Sequence, residues 1–213
     1  MSEHEHTPMT RRCDVAIVGG SASGLAAALQ IQRQRRSVIV VDSGEPRNAP
    51  ALHMHGYLGY DGAPPIDLVT AGRAEFRRYG GEILHGHVDT VDHGPGGFTL
   101  DLGHVLIRAR RVVAATGAAD ELPPVDGLAE RWGTTVIHCP FCHGYEFRGQ
   151  RLVQLVTHQA GLHPARLFAH LTDQLTLVVP SGLDVDADEL SALARAGAVV
   201  VQGEVRRVDD ADA

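Results

Sequence analysis

Long apolar runs are missing from this sequence. None is long enough to cross a bilayer, and the polar opening from Met1 to Arg12 lacks the apolar core of a signal peptide. Basic character is missing as well: a formal charge of -7 and an isoelectric point of about 6.0 leave nothing to attract nucleic acid or an anionic membrane surface. The expectation is a cytoplasmic protein with neither partner. Cysteine is scarce, with 3 residues in 213. A reducing compartment disfavours structural disulfides, so paired cysteines there point to catalysis or metal binding. What is present is globular, since 44% hydrophobic residues in 22.8 kDa suffice for one large domain or two smaller ones.

Two of the cysteines stand in the stretch His138-Cys139-Pro140-Phe141-Cys142-His143-Gly144-Tyr145-Glu146. Cysteines two residues apart can close a small-ring disulfide, and a neighbouring backbone or cation favours one thiolate, so such a pair can cycle between dithiol and disulfide. The same spacing is half of a zinc site, or a pair of inert structural cysteines. Only half a site is available, because Cys13 opens an expected buried strand and His138 and His143 lie too close in sequence to complete a tetrahedron. No metal is expected. Histidine is abundant, with 13 residues, and His4/His6, His53/His55 and His85/His87 form i, i+2 pairs. No carboxylate or cysteine joins them at ligand spacing, so they read as surface or core histidines.

Cys13 to Val18 is a short β-branched apolar run, followed by Gly19-Gly20-Ser21-Ala22-Ser23-Gly24, an Ala/Leu-rich helical stretch to Arg36, and a second buried run from Ser37 to Val41 that ends at Asp42. Strand, tight turn, helix and strand with a terminal acid form a βαβ unit of the dinucleotide-binding type. Gly19 permits the bend, Gly24 lets helix and strand pack closely, and the helix N-terminus offers amides to a pyrophosphate. Asp42 would accept from a ribose hydroxyl. Ser21 stands where the middle glycine of the fingerprint belongs, and its small side chain is tolerable there. A long polar loop follows, with Glu45-Pro46-Arg47-Asn48 and His53 to Gly59 in it, and loops of that length are usually functional. Pro64-Pro65 begins a helix whose Ile66, Val69, Phe76 and Tyr79 share a face, ended by Gly80-Gly81.

Glu82 to Val88 reads as a third strand, and Val88 to Ile107 as a small antiparallel meander. Arg111 to Ala115 is a further strand running into Thr116-Gly117, a strand-and-turn order found in two-dinucleotide-binding-domain flavoproteins. After a proline-rich crossing, a second unit opens with strand Arg151 to Val156, helix Pro164 to Leu171 and strand Leu175 to Val179. Helix Asp186 to Ala196 and strand Ala198 to Gln202 follow. Its turn, Thr157 to Pro164, offers only Gly161 for close approach, and no arginines follow the next strand to hold a 2′-phosphate. This reads as a dinucleotide fold without a dinucleotide. The expected fold class is α/β: two Rossmann-like domains with a small antiparallel β-meander, residues 1–117 binding FAD and residues 118–213 forming an incomplete second domain.

In order and spacing these motifs resemble the low-molecular-weight thioredoxin reductases. They are more similar still to the branch whose disulfide reads CP(F/Y)CHG(Y/W)E with GGSxAGL and PRN upstream, a branch that includes the FAD-dependent dithiol oxidases of gliotoxin and holomycin type. The resemblance implies FAD held by Gly19, Gly20, Ser21, Ala22, Gly24, Asp42, Arg47, Asn48, His55, Val88, Thr116 and Gly117. It implies Cys142 as the thiolate exchanging electrons with the flavin, Cys139 as the attacker of the external substrate, His143 as the acid/base, and His138 and His55 as helpers. The substrate is then a small dithiol or disulfide, or a thioredoxin-like protein, and the assembly a homodimer favoured by apolar surface on the incomplete domain. The degenerate second turn favours a thiol–disulfide oxidoreductase without NADPH. An NADPH-dependent thioredoxin reductase and a non-catalytic remnant without FAD are the alternatives. The family's flavin-sealing Gly-Asp segment does not occur before Ala213, so the chain is expected to be a fragment, or a natural truncation with weakened flavin binding.

Overall fold

The structure is a computed structural model that describes residues 8–209; His4 and His6 lie outside them. The chain divides into two compact units. One comprises the chain up to Ala49 together with Pro64–Ala119, the other Pro50–Ala63 together with the chain from Asp120 onward.

In the first unit, β1 (Met9–Val18), α1 (Ala22–Arg33) and β2 (Val38–Asp42) form the expected βαβ, and α2 (Pro65–Arg78) leads to β3 (Glu82–His85). Then β4 (Thr90–Gly94), β5 (Gly97–Asp101) and β6 (Val105–Ala114) complete a six-stranded sheet of order β3-β2-β1-β6-β5-β4. β1, β2, β3 and β6 run parallel, while β4, β5 and β6 pair antiparallel. The meander is therefore no separate sheet. Its last strand and the expected Arg111–Ala115 strand are one ten-residue strand, paired with β1 from Met9↔Val105 to Val18↔Ala114. Nothing breaks the apolar alternation between Ile107 and Val112 except exposed arginines, which an extended strand can turn to solvent. The third strand is also shorter than expected, ending at His85 before the turn at Gly86.

β2 reads Val-Ile-Val-Val and is buried on both faces, as a central parallel strand must be. Val38 and Val40 pack with Ile17, Leu25, Ala28, Val69 and Phe76. Ile39 and Val41 pack with Ala16, Leu100, Ile107 and Ala109. The expected face of α2 is only half right: Val69 and Phe76 are buried, but Ile66 is 52% and Tyr79 49% exposed. Tyr79 caps the helix and stacks under Arg33, 5.6 Å from ring centre to guanidinium.

In the second unit, α3 (Pro140–His143) is a single short turn that runs into a 3-10 turn over Gly144–Phe147. Then β7 (Leu152–Leu155), α4 (Leu162–Phe168), β8 (Leu175–Val179), α5 (Ala187–Arg195) and β9 (Val199–Gln202) build a parallel three-stranded sheet. Leu175, Leu177 and Val179 alternate inward onto Leu162, Ala165, Phe168 and Leu193. Asp186 caps α5, its carboxylate accepting from the Asp188 and Glu189 amides at 2.8 and 3.0 Å. The two βαβ patterns make the protein mixed α/β and Rossmann-like.

Candidate functional site

Parallel pairing brings the C-terminal ends of β1, β2 and β6 to one edge of the first sheet, where ligands of open α/β folds bind. Gly19 leaves β1 with φ +104°, and a Cβ there would strike the Ala115 carbonyl. Its amide donates to the Val41 carbonyl at 2.8 Å. A Cβ on Gly24 would strike the Gly19 carbonyl, so glycine is what lets α1 close on β1. Ser21 is the N-cap, in ordinary extended backbone (φ -94°, ψ -162°), which explains why serine is accommodated. Its hydroxyl does not cap the helix and the first turn carries no acid. The amides that open α1, from Ala22 on, are thus left for a ligand.

Asp42, at the end of β2, is more heavily engaged than a waiting ribose acceptor. It accepts from the Gly20 amide at 2.5 Å and the Gly44 amide at 3.0 Å, and pairs with Arg73 of α2 at 2.5 Å. The Arg73 Nε finds no hydrogen-bond partner among the described residues. Sequence reasoning missed Arg73, which sits on the polar side of a helix with no motif around it. Thr116 and Gly117 are exposed at the same edge, with Gly117 at φ +69°. The tight turn, the uncapped helix end and the acid fit a dinucleotide cofactor such as FAD. Arg47 and Asn48 lie in the turn after β2. Val88 is half-buried against the Leu100–Ile107 side of the sheet.

In the second unit, Cys139 is the N-cap of α3 and Pro140 its first residue, where a missing N–H costs nothing. The Cys139 carbonyl accepts from the Cys142 and His143 amides, both at 3.2 Å. Cys139 is half-buried and Cys142 exposed. Gly144 lets this turn settle beside the end of α4, where an added Cβ would meet the Leu171 side chain just beyond the helix. Cys13 stays in β1, where burial pushes its thiol up to about 11.

His143 Nε2 lies 3.2 Å from the backbone carbonyl of His53. A carbonyl only accepts, so Nε2 carries the hydrogen and Nδ1 is the atom that can take or give a proton. His55 approaches His143 edge-on, with ring centres 5.9 Å apart at 89°. Its Nδ1 is 3.5 Å from Asp61 and its Nε2 3.6 Å from Glu146. The structure thus brings His55 to His143 in the second unit, while the glycine turn and Asp42 belong to the first. It also gives this histidine pair the carboxylate neighbours that sequence spacing did not reveal, Glu146 coming from far along the chain. His138 lies against Trp132, ring centres 6.4 Å apart. His85 and His87 are exposed. No group of three or more His, Cys, Asp or Glu among the described residues is arranged to hold a metal ion.

The corresponding turn of the second unit is tied by side-chain hydrogen bonds. A 3-10 turn, Gln159–Gly161, precedes α4, which is only seven residues long. The Gln154 amide donates to the Gly161 carbonyl at 2.5 Å, and Gln159 accepts from the Asp186 amide at 2.9 Å. Glu189, held by Arg166 at 3.0 Å, stands within 3.4 Å of Gln159.

Known proteins align with this picture. The family described as "Pyridine nucleotide-disulphide oxidoreductase" matches residues 13–157. The chain is 39% identical over 142 residues to "Thioredoxin reductase aclD" of Aspergillus oryzae, covering 64% of this chain and 45% of that protein. It is 34% identical over 197 residues to "Thioredoxin reductase tcpT" of Claviceps purpurea, covering 87% and 61%. Among solved structures, that of HlmI superposes with a TM-score of 0.89 at 42% identity, covering 96% of this chain and 67% of that one. The chain spans about half the length of the curated relatives it matches.

Proposed function

Because the chain belongs to the pyridine nucleotide-disulphide oxidoreductase family, whose members are FAD-binding flavoproteins, we propose that it serves an FAD-dependent thiol–disulfide oxidoreductase acting through Cys139 and Cys142 without NADPH. The observation that carries this reading is the arrangement at α3. Two cysteines share one turn, and the adjacent His143 has its Nε2 committed to the His53 carbonyl and its Nδ1 available for protons. In the oxidising direction, one thiolate of a small dithiol attacks Cys139 of the Cys139–Cys142 disulfide. A mixed disulfide forms, and Cys142 leaves as a thiolate. The substrate's second thiolate then displaces Cys139, so the substrate loses two electrons and the cysteine pair gains them. His143 exchanges a proton with Cys142 through Nδ1. Bound FAD supplies the two-electron acceptor for the reduced pair. The residues that would hold it are Gly19, Gly20, Ser21, Ala22, Gly24 and Asp42, with Thr116 and Gly117 beside them.

Independence from NADPH is supported by the second turn, which has Gly161 alone for close approach and is tied by side chains, Gln154 donating to the Gly161 carbonyl and Gln159 accepting from the Asp186 amide. The competing reading, an NADPH-dependent thioredoxin reductase, is favoured by the names of the two curated relatives. A small dithiol or a thioredoxin-like protein would be the substrate, and a homodimer the assembly. No helix among the described residues is long and apolar enough to cross a membrane.

The test is the visible spectrum of the purified protein, with a dithiol added in air and without oxygen, and then with NADPH. A yellow protein bleached by dithiol and recoloured by air supports the proposal. Stoichiometric anaerobic bleaching by NADPH supports the thioredoxin reductase reading. A colourless protein that releases no flavin on heating would leave a non-catalytic relative.

A further inference from the structure

Residues 50–63 form a strap in the second unit. Its own hydrogen bonds close it: the Met54 amide donates to the Ala63 carbonyl at 2.9 Å and the Gly62 amide to the Met54 carbonyl at 2.8 Å. The Gly56 amide donates to Asp61 at 2.9 Å, and His53 Nδ1 lies 3.0 Å from the Gly62 carbonyl. Apolar burial does little to hold this strap down, since Leu58 is 99% and Leu52 67% exposed. Pro50 packs on Gly133 at one end. Toward the cysteine turn the contacts are polar: the His53 carbonyl meets His143, and the His55 ring meets Glu146.

We propose that His55 is a positioning residue for His143. Lying between Asp61 of the strap and Glu146 beyond α3, His55 docks the strap so that the His53 carbonyl holds His143 Nε2 and leaves Nδ1 facing proton transfer. The proposal rests on the acid/base role of His143 given above. Asp61 and Glu146 stand at ion-pair rather than hydrogen-bond separations, one on each ring nitrogen. A protonated His55 attracts both at once, whereas a neutral ring has a single N–H to offer. The ionisable groups around His55 are Asp61 and His53 from the strap, His143 from α3 and Glu146 from the following 3-10 turn. Because the carbonyl that grips His143 belongs to the backbone of His53, no side-chain change can remove it directly. The clamp two residues on is the accessible handle.

The test measures alkylation of each cysteine by iodoacetamide in the dithiothreitol-reduced full chain, across the neutral pH range, by peptide mass spectrometry. His143→Ala is expected to slow Cys142 about tenfold and change its pH profile, the scale of effect a neighbouring base has on a thiolate. His55→Ala and Glu146→Gln are each expected to change the profile in the same direction by about threefold. The double variant His55→Ala/His143→Ala should be no slower than His143→Ala alone, because two residues acting through one group are not additive. Chymotrypsin should cleave at Tyr57 and Leu58 faster in His55→Ala and in Glu146→Gln than in the parent. If the two histidine effects multiply, or if His143→Ala alters alkylation while both clamp variants match the parent, the positioning role is wrong and the acid/base role stands. If His143→Ala itself changes nothing, the acid/base reading fails and takes this proposal with it.

Discussion

Replacing Asp42 by Asn tests how the glycine turn is held. The carboxylate receives three donors: the Gly20 amide at 2.5 Å, the Gly44 amide at 3.0 Å and Arg73 at 2.5 Å. It joins β2 to the turn and to α2. An amide of the same size keeps one accepting oxygen and turns an NH2 toward at least one of these donors, while the charge opposite Arg73 disappears. A hydrogen bond to a charged group contributes about 1.5–3 kcal/mol, and truncating one partner of a buried pair costs about 3–5 kcal/mol. The side chains of this pair are 27% and 13% exposed, so solvent screening lowers the expectation to about 2 kcal/mol. At about 2–4 °C per kcal/mol for a chain of this size, the unfolding midpoint of the first unit should fall by roughly 4–8 °C. Circular dichroism melts of the parent, Asp42→Asn, Arg73→Gln and the double variant measure this. The double variant should lose less than the sum of the singles. The flavin retained through gel filtration should fall in parallel. A midpoint for Asp42→Asn within a degree of the parent, or strict additivity with Arg73→Gln, would refute the bridging role.

Three further outcomes follow from the packing. Gly24→Val places side-chain atoms against the Gly19 carbonyl and should abolish flavin retention while the far-ultraviolet spectrum persists; a variant that purifies with full flavin would sink the close-approach argument. Phe76→Ala empties the centre of the α1–α2 side of the core, where Phe76 is fully buried, and urea titration should show a loss of about 3–5 kcal/mol. Cys13 is raised from an ordinary 9.0 to about 11 by burial, so the unfolded chain ionises first. Its contribution is therefore neutral below pH 9, and stability falls as pH rises from about 9 to 11; Cys13→Ala should remove that part of the decline, and an unchanged profile would contradict it.

What could be read from the residues was what local physics dictates. Val-Ile-Val-Val admits only a doubly buried strand, and the spacing of Gly19, Gly24 and Asp42 suits only a tight strand–helix turn. Long-range pairing was not legible. The arginines between Ile107 and Val112 look like a strand break, yet one exposed face absorbs them in β6. Arg73 had no motif, because a helix side chain that reaches a strand end leaves no trace in spacing. His55 was assigned by resemblance to the cofactor, and the contact with Glu146 depends on how a long loop returns. That is tertiary information a polar loop does not carry in its composition.

The chain contains two parallel βαβ arrangements, and what separates them is the chemistry of one turn each. In the first, glycines clear the backbone beneath a twelve-residue helix, and the nearest acid is tied to Gly20, Gly44 and Arg73. In the second, Gln154 donates to the Gly161 carbonyl, and Gln159 links the turn to the start of α5 through the Asp186 amide. A diphosphate entering there would displace these hydrogen bonds, at a helix of only seven residues. Topology alone would give both units the same ligand. The difference in turn chemistry favours a dinucleotide at the first turn over the second.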